Sequence, residues 1–314
     1  MIAALLVLAL GATPRDATRV ETSAYADGEP RSTRTLREVE PGRWVLDGPA
    51  SGRYPDGQPS FEGSWSGGAK AGRWRYWHAN GLVEAEGDYV DGKPDGTWTF
   101  GNESGAQRGS FAGGVATGEW TYEWPGGGTR AKGSYSAGER EGTWTWFARD
   151  GAKVEEGAFR AGERDGTWTT WHASGARRSA GAYGAGRREG TWTWWLADGR
   201  VEKTGAFARG LEEGPWTFSY SDGTSAQEGA FRGGKEEGVW TIRHENGAIA
   251  QQGSFVAGRA EGPWVERRPD GTKQAEGAYR RGLAHEAWTT FDARGEEAER
   301  VEYADGRRVG GGLR

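Results

Sequence analysis

The sequence predicts an all-β fold: an elongated, single-layer antiparallel β-meander, a ribbon or solenoid of ~24-residue hairpin repeats. Three observations predict it. Tryptophans recur at a spacing of 24 residues: Trp120, Trp144, Trp168, Trp192, Trp216, Trp240, Trp264 and Trp288. Glycines recur in fixed phase with them. Between the glycines lie short runs of strand formers, such as Trp144-Thr-Trp-Phe147 and Trp192-Thr-Trp-Trp195.

Composition points the same way. Glycine is 56 of 314 residues, tryptophan is 18, and only 35% of the chain is hydrophobic. Ordinary globular cores of this size are richer in Leu, Ile and Val. The aromatic content is too high for disorder. The net charge of −5 has its signs interspersed. It therefore offers no basic stripe for nucleic acid. Zero cysteines exclude disulfides, thiol catalysis and cysteine-ligated metals.

Taken in order, the chain opens with the apolar run Met1-Ile-Ala-Ala-Leu-Leu-Val-Leu-Ala-Leu10. About twelve residues cannot span a bilayer, so no transmembrane segment is expected. The run reads as a signal-peptide core over 1–12, with Ala9-Leu10-Gly11 as a small-x-small cleavage site. It favours export to the periplasm, envelope or exterior, with the cytoplasm as the alternative. Residues 13–41 carry no period and are expected to be irregular. The array occupies 42–306, with Trp44 opening a longer first unit, and 307–314 are a C-terminal tail.

Within the array each Trp is taken as position 0. Glycines fall at −2 (Gly142, Gly166, Gly190), +7 (Gly151, Gly175, Gly199), +13 (Gly157, Gly181, Gly205) and +18 (Gly138, Gly162, Gly258). An aromatic follows at +15, as in Phe159, Tyr183 and Phe207. Asn or Asp often precedes the +7 glycine, as at Asn80, Asp150, Asp198 and Asp270. That pair signals a hairpin, and a two-residue type I′ turn is expected there. Such a turn sets position 0 opposite +13 and −2 opposite +15. Trp144 is then expected to cover Gly157, and Phe159 to cover Gly142. Alternation puts 0, +2, +13 and +15 on an aromatic face and the +1 threonines on a polar one. A lone unit buries too little to fold, so neighbours must stack.

With those residues in place, the pattern G-x-W-T-x-W-x-x-x-G-x-x-x-x-x-G-x-[YF]-x-x-G-x-x-[ED] resembles the bacterial variant of the MORN repeat. That variant occurs in YwqK-type toxin–antitoxin antitoxin proteins. Gly142–Asp165, Gly166–Glu189 and Gly190–Glu213 match best, and the resemblance covers roughly residues 42–306. It implies an elongated β-meander that binds protein partners or phospholipid, and no chemistry. The last unit departs, with Glu286 and Val301 in place of glycines, as suits a capping unit.

Candidate functional residues are few. His78, His172 and His244 occupy +4 in separate units, too far apart for a metal site or catalytic dyad. No position is chemically unique in the array, so no enzyme activity and no cofactor are expected. The +3 rings Trp77, Phe147, Trp171, Trp195 and Phe291 alternate onto the polar face and are candidates for partner contact. A second candidate is the acidic ladder at +21, running through Glu141, Asp165, Glu189, Glu213, Glu237 and Glu261. The expected function is a protein-binding scaffold, exported or envelope-associated. Alternatives are an antitoxin or immunity protein neutralising a toxin, and a carbohydrate, cell-wall or phospholipid module. A one-sided aromatic sheet also favours self-association.

Overall fold

Pairing between neighbours in the chain generates the fold. The computed structural model describes residues 17–313, so the expected signal segment over 1–12 lies outside the described residues. Twenty-five strands run from β1 (Thr18–Ala24) to β25 (Arg307–Leu313), with no helix among the described residues. The chain divides into two compact units, Met1–Glu141 with Arg149–Gly151, and Gly142–Ala148 with Ala152–Arg314. In the first, β1 to β10 (Thr129–Ser136) pair antiparallel in chain order. In the second, the strands from β11 (Glu139–Phe147) to β25 do the same. Each unit is the expected antiparallel meander of hairpins.

The hairpin of β13 (Glu163–Trp171) and β14 (Arg177–Gly184) shows the local rules. Trp168 lies opposite Gly181, and Gly166 opposite Tyr183, as expected. The turn differs from the two-residue expectation. His172 N–H donates to Ala176 O and Gly175 N–H to His172 O, both at 2.9 Å. Gly175 is left-handed at φ +84°, whereas Ser174 before it is not. This is a three-residue connection, a type I turn followed by a glycine bulge. It shifts the register by one, setting Trp171 opposite Arg177; Arg178 then bulges out and restores the Trp168–Gly181 pair. Two one-residue irregularities cancel, which preserves the register.

Type I′ turns do occur, at the opposite edge, where one hairpin passes to the next. Gly184 pairs with Arg187, and the two residues between them, Ala185 and Gly186, have φ of +45° and +74°. Non-glycine residues also take the first place at Ala161, Arg209, Ala257 and Arg281. Each such left-handed residue costs about 1–2 kcal/mol.

The tryptophans make their main contact backwards along the chain. Between β12 (Lys153–Arg160) and β13, Gly157 pairs with Trp168 and Ala158 with Asp165, so Gly166 and Thr167 bulge from β13. The bulge turns the indole of Trp168 onto β12, where its Nε1–H donates to Ala158 O at 3.0 Å. Gly157 lies directly beneath it: a Cβ there would stand 2.2 Å from Trp168 Cδ2. Trp144 was expected to cover Gly157, and Phe159 to cover Gly142; neither assignment holds. A Cβ at Gly142 would meet nothing within 4 Å, and glycine is required there instead by its φ of +67°. The capping unit follows the corrected rule. No tryptophan follows Val301, so that position, opposite Trp288, carries a side chain of its own and buries it.

Nine tryptophans, from Trp74 to Trp264, are buried by this arrangement. Within each unit edge-on ring contacts link them into a file; in the second these include Phe159–Trp168 at 5.1 Å, Trp168–Tyr183 at 5.8 Å and Tyr183–Trp192 at 5.2 Å. Each such pair adds about 0.5–1.5 kcal/mol beyond its burial. The +2 rings lean over the next tryptophan, as Trp146 does on Trp168 at 5.7 Å and Trp194 on Trp216 at 5.9 Å.

Two boundary expectations are corrected. Part of the segment 13–41 forms β1 and β2 (Pro30–Glu40), a hairpin without the Trp–Gly period and therefore invisible to it. Most of the tail 307–314 is β25, paired to β24 (Glu297–Ala304) through the left-handed turn Asp305-Gly306.

These contacts separate two kinds of glycine. Gly181→Ala sets a Cβ 2.2 Å from Trp192 Cδ2 and is expected to cost about 3 kcal/mol. Gly190→Ala meets open space at φ +64° and is expected to cost about 1 kcal/mol. Urea unfolding followed by tryptophan fluorescence measures both, and equal losses would contradict the ring-on-glycine contact. Glu286 holds φ +60° in the capping unit where other units have glycine. Glu286→Gly is therefore expected to stabilise by up to about 1 kcal/mol in the same assay.

Candidate interaction surface

The hairpin tips are tied together by the residue at +4. His78 Nε2 bonds Gly101 O, His172 Nε2 bonds Trp195 O, and His244 Nε2 bonds Arg267 O, each at 2.8 Å. A carbonyl can only accept, so Nε2 carries the proton in each ring. Tyr220 Oη donates in the same way to Arg243 O, and Arg268 to Phe291 O. In every case a +4 side chain caps the +3 carbonyl of the next unit. The histidines are structural ties, a role whose 23-residue separation hides it from the sequence.

Trp77, Trp171, Trp195 and Phe291 sit on the strand ends that these ties immobilise. Trp77, Phe147, Trp171, Trp195 and Phe291 are all half-buried. Trp77 lies under Arg75 at 5.8 Å, Trp171 under Lys153 at 5.6 Å and Phe291 under Lys273 at 5.6 Å. Among the described residues, Trp77, Trp171, Trp195 and Phe291 take no part in the ring file of the opposite face.

The acids at +21 fasten the other edge. Carboxylate oxygens of Glu189, Glu213, Glu237 and Glu261 accept the N–H of Arg209 (2.9 Å), Gly233 (2.8 Å), Ala257 (3.0 Å) and Arg281 (2.7 Å). Each donor is the first residue of a type I′ turn. A charge-assisted bond of this kind contributes roughly 1.5–3 kcal/mol, enough to offset a left-handed alanine or arginine. Asp165 forms an ion pair with Arg160 at 2.8 Å, and Glu141 is exposed near the start of the second unit. The ladder considered for partner contact is thus largely engaged in holding turns.

On the polar face, +1 and +12 side chains bond across several hairpins, as Thr145 to Glu156 at 3.0 Å and Thr193 to Thr204 at 3.1 Å. The Trp74 repeat replaces this with charge. Glu86 accepts from Arg75 Nε at 2.7 Å and also from Arg73. Those hydrogen bonds hold its carboxyl down at about 2. Beside them an open depression is lined by Thr33, Ser51, Glu62, Ser64, Arg73 and Arg75. Reading the repeat alone misses this feature, because part of its lining, Val20, Thr33 and Thr35, comes from strands outside the Trp–Gly period.

No protein-family model matches the chain, and no curated protein matches it. Solved structures similar in part include a porin-like protein from Bacteroides uniformis. It is 11% identical, with 87% of this chain and 94% of that chain covered and a TM-score of 0.12. Another is TcdB2-TccC3 without its hypervariable C-terminal region, 10% identical over 92% of this chain and 20% of that chain, with a TM-score of 0.11. Overlap this weak carries no argument about fold or function.

The depressed Glu86 carboxyl has a consequence for pH. Its folded value of about 2 lies below the unfolded one of about 4.3. Its contribution to stability is therefore complete above the unfolded value and lost as pH falls through the folded one. Thermal melts between pH 5 and pH 2 are expected to show a smaller fall in Tm for Glu86→Gln than for the native chain. Parallel curves would exclude the contribution.

Proposed function

We propose that the chain is a non-enzymatic scaffold that binds another protein, exported or held at the envelope, through the polar face at the hairpin tips. One observation carries this reading. The +3 rings are half-exposed and fixed beside tied tips, yet Trp77, Trp171 and Trp195 add nothing to the aromatic file. Half-exposed aromatics on a rigid sheet lose little entropy when covered, which suits them to anchor a partner. The rest of the periodic chemistry is engaged within the chain: tryptophans on glycines, acids on turns, histidines on carbonyls. The proposal includes kinship with bacterial MORN-type repeat proteins, which the hairpin meander supports without naming a partner.

The test is the triple variant Trp77→Ala, Trp171→Ala and Trp195→Ala in the full chain, with circular dichroism and Tm confirming the fold. Quantitative pull-down from native envelope is expected to recover partners with the native chain and to lose them at least ten-fold with the variant. An unchanged partner set would remove these rings from the contact.

A further inference from the structure

We infer that two copies of the chain pair through their aromatic faces, over the stretch from β12 to β20 (Ile249–Val256), about a two-fold axis running along β16 (Val201–Ala208). This concerns the face opposite the one proposed for partner binding and does not depend on that reading.

The inference starts from one row of side chains. Position −4 pairs with a +15 ring in every repeat: Arg164 with Phe159, Arg188 with Tyr183, Glu212 with Phe207 and Glu236 with Phe231. Pairing across the ladder puts the row on the aromatic face. Its members stand on β13, β15 (Arg187–Trp195), β17 (Leu211–Ser219) and β19 (Lys235–Arg243), at intervals of ~10 Å. Between β12 and β20 the row changes sign, reading Arg, Arg, Glu, Glu; Arg140 precedes this stretch and Ala260 follows it. Nothing inside the repeat requires this, because alanine serves at Ala260 and Ala284.

Most of these charges form no ion pair among the described residues. Arg188 lies over the rings of Trp192 (4.9 Å), Trp194 (5.6 Å) and Phe207 (5.2 Å), with no carboxylate paired to it among the described residues. Glu212 and Glu236 likewise form no ion pair among the described residues. Arg164 alone has one, to Glu155 at 2.9 Å.

A row of this sequence is complementary to itself reversed. A two-fold axis along the strand direction inverts the order of strands and keeps each residue's height along them. Arg188 then meets Glu212 of the second copy, and Arg164 meets its Glu236; symmetry doubles both pairs. Half-buried rings fill the centre, with Trp194 against Phe218 and Thr170 against Ile242. Stacked sheets pack ~10 Å apart, and nine strands by about 20 Å of strand length cover on the order of 800 Å² per copy. That is the usual size of a stable interface. Lys203, on the axis strand, is set against its own copy; its ammonium rests over Trp194 at 4.7 Å.

Analytical ultracentrifugation of the full chain tests the inference, with circular dichroism confirming each fold. The native protein is expected to dimerise at micromolar concentration and to loosen in high salt. One variant carries Arg164→Glu and Arg188→Glu; the other carries Glu212→Arg and Glu236→Arg. Each alone is expected to dimerise at least ten-fold more weakly, while an equimolar mixture forms a heterodimer. Lys203→Met is expected to tighten the native dimer. A native chain that stays monomeric at 100 µM, as an order-of-magnitude ceiling, would overturn the proposal. So would variants that self-associate like the native chain, or a mixture that fails to pair.

Discussion

The structure depends on an indole laid on a bare glycine of the preceding strand. Glycine at that place removes the only atom that would keep the ring away, and the ring in turn shields backbone that glycine leaves open. The geometry is produced by a two-residue bulge, which turns the tryptophan back and leaves a carbonyl for its N–H. Gly157, Gly166, Thr167 and Trp168 therefore act as one device. A thin sheet normally buries little. Here each unit from Trp74 to Trp264 buries its tryptophan almost completely by borrowing a surface from its predecessor.

The two edges of the sheet are finished by different chemistry. At the tips, +4 donors such as His172 satisfy carbonyls of the next unit. At the inter-hairpin edge, carboxylates such as Glu189 satisfy turn N–H groups of the next unit. Both bonds reach forward in the chain, while the tryptophans reach back. Adjacent repeats are held in both directions, which gives a one-dimensional array its nearest-neighbour coupling.

The fold was legible because few residue types can occupy a ring-on-glycine contact, so its spacing survives in the sequence. The roles within that spacing were less legible. Glycine at −2 and glycine at +13 look alike in sequence, although one serves a backbone angle and the other a ring. Only the capping unit separates them, since Glu286 tolerates the angle while Val301 appears where no ring descends. Asn-Gly and Asp-Gly suit either kind of hairpin turn, and two cancelling bulges concealed the difference from any argument based on register. The forward bonds were illegible, because their partners lie a whole repeat away. For the candidate surface, alternation assigned the +3 rings to the polar face, but it could not show that the acids were already engaged.

Because glycines such as Gly157, Gly181 and Gly205 are covered by a tryptophan that comes later in the chain, the array has an arrow. As the chain leaves the ribosome, the newest unit always has an uncovered glycine and an incomplete turn. Completion of each unit therefore trails synthesis by one repeat. Removing units from the front uncovers an indole, while truncation at the back leaves a vacant glycine unless a residue like Val301 closes it. The two ends of such an array therefore call for different closures, a cover for a bare ring at the front and a filled glycine position at the back.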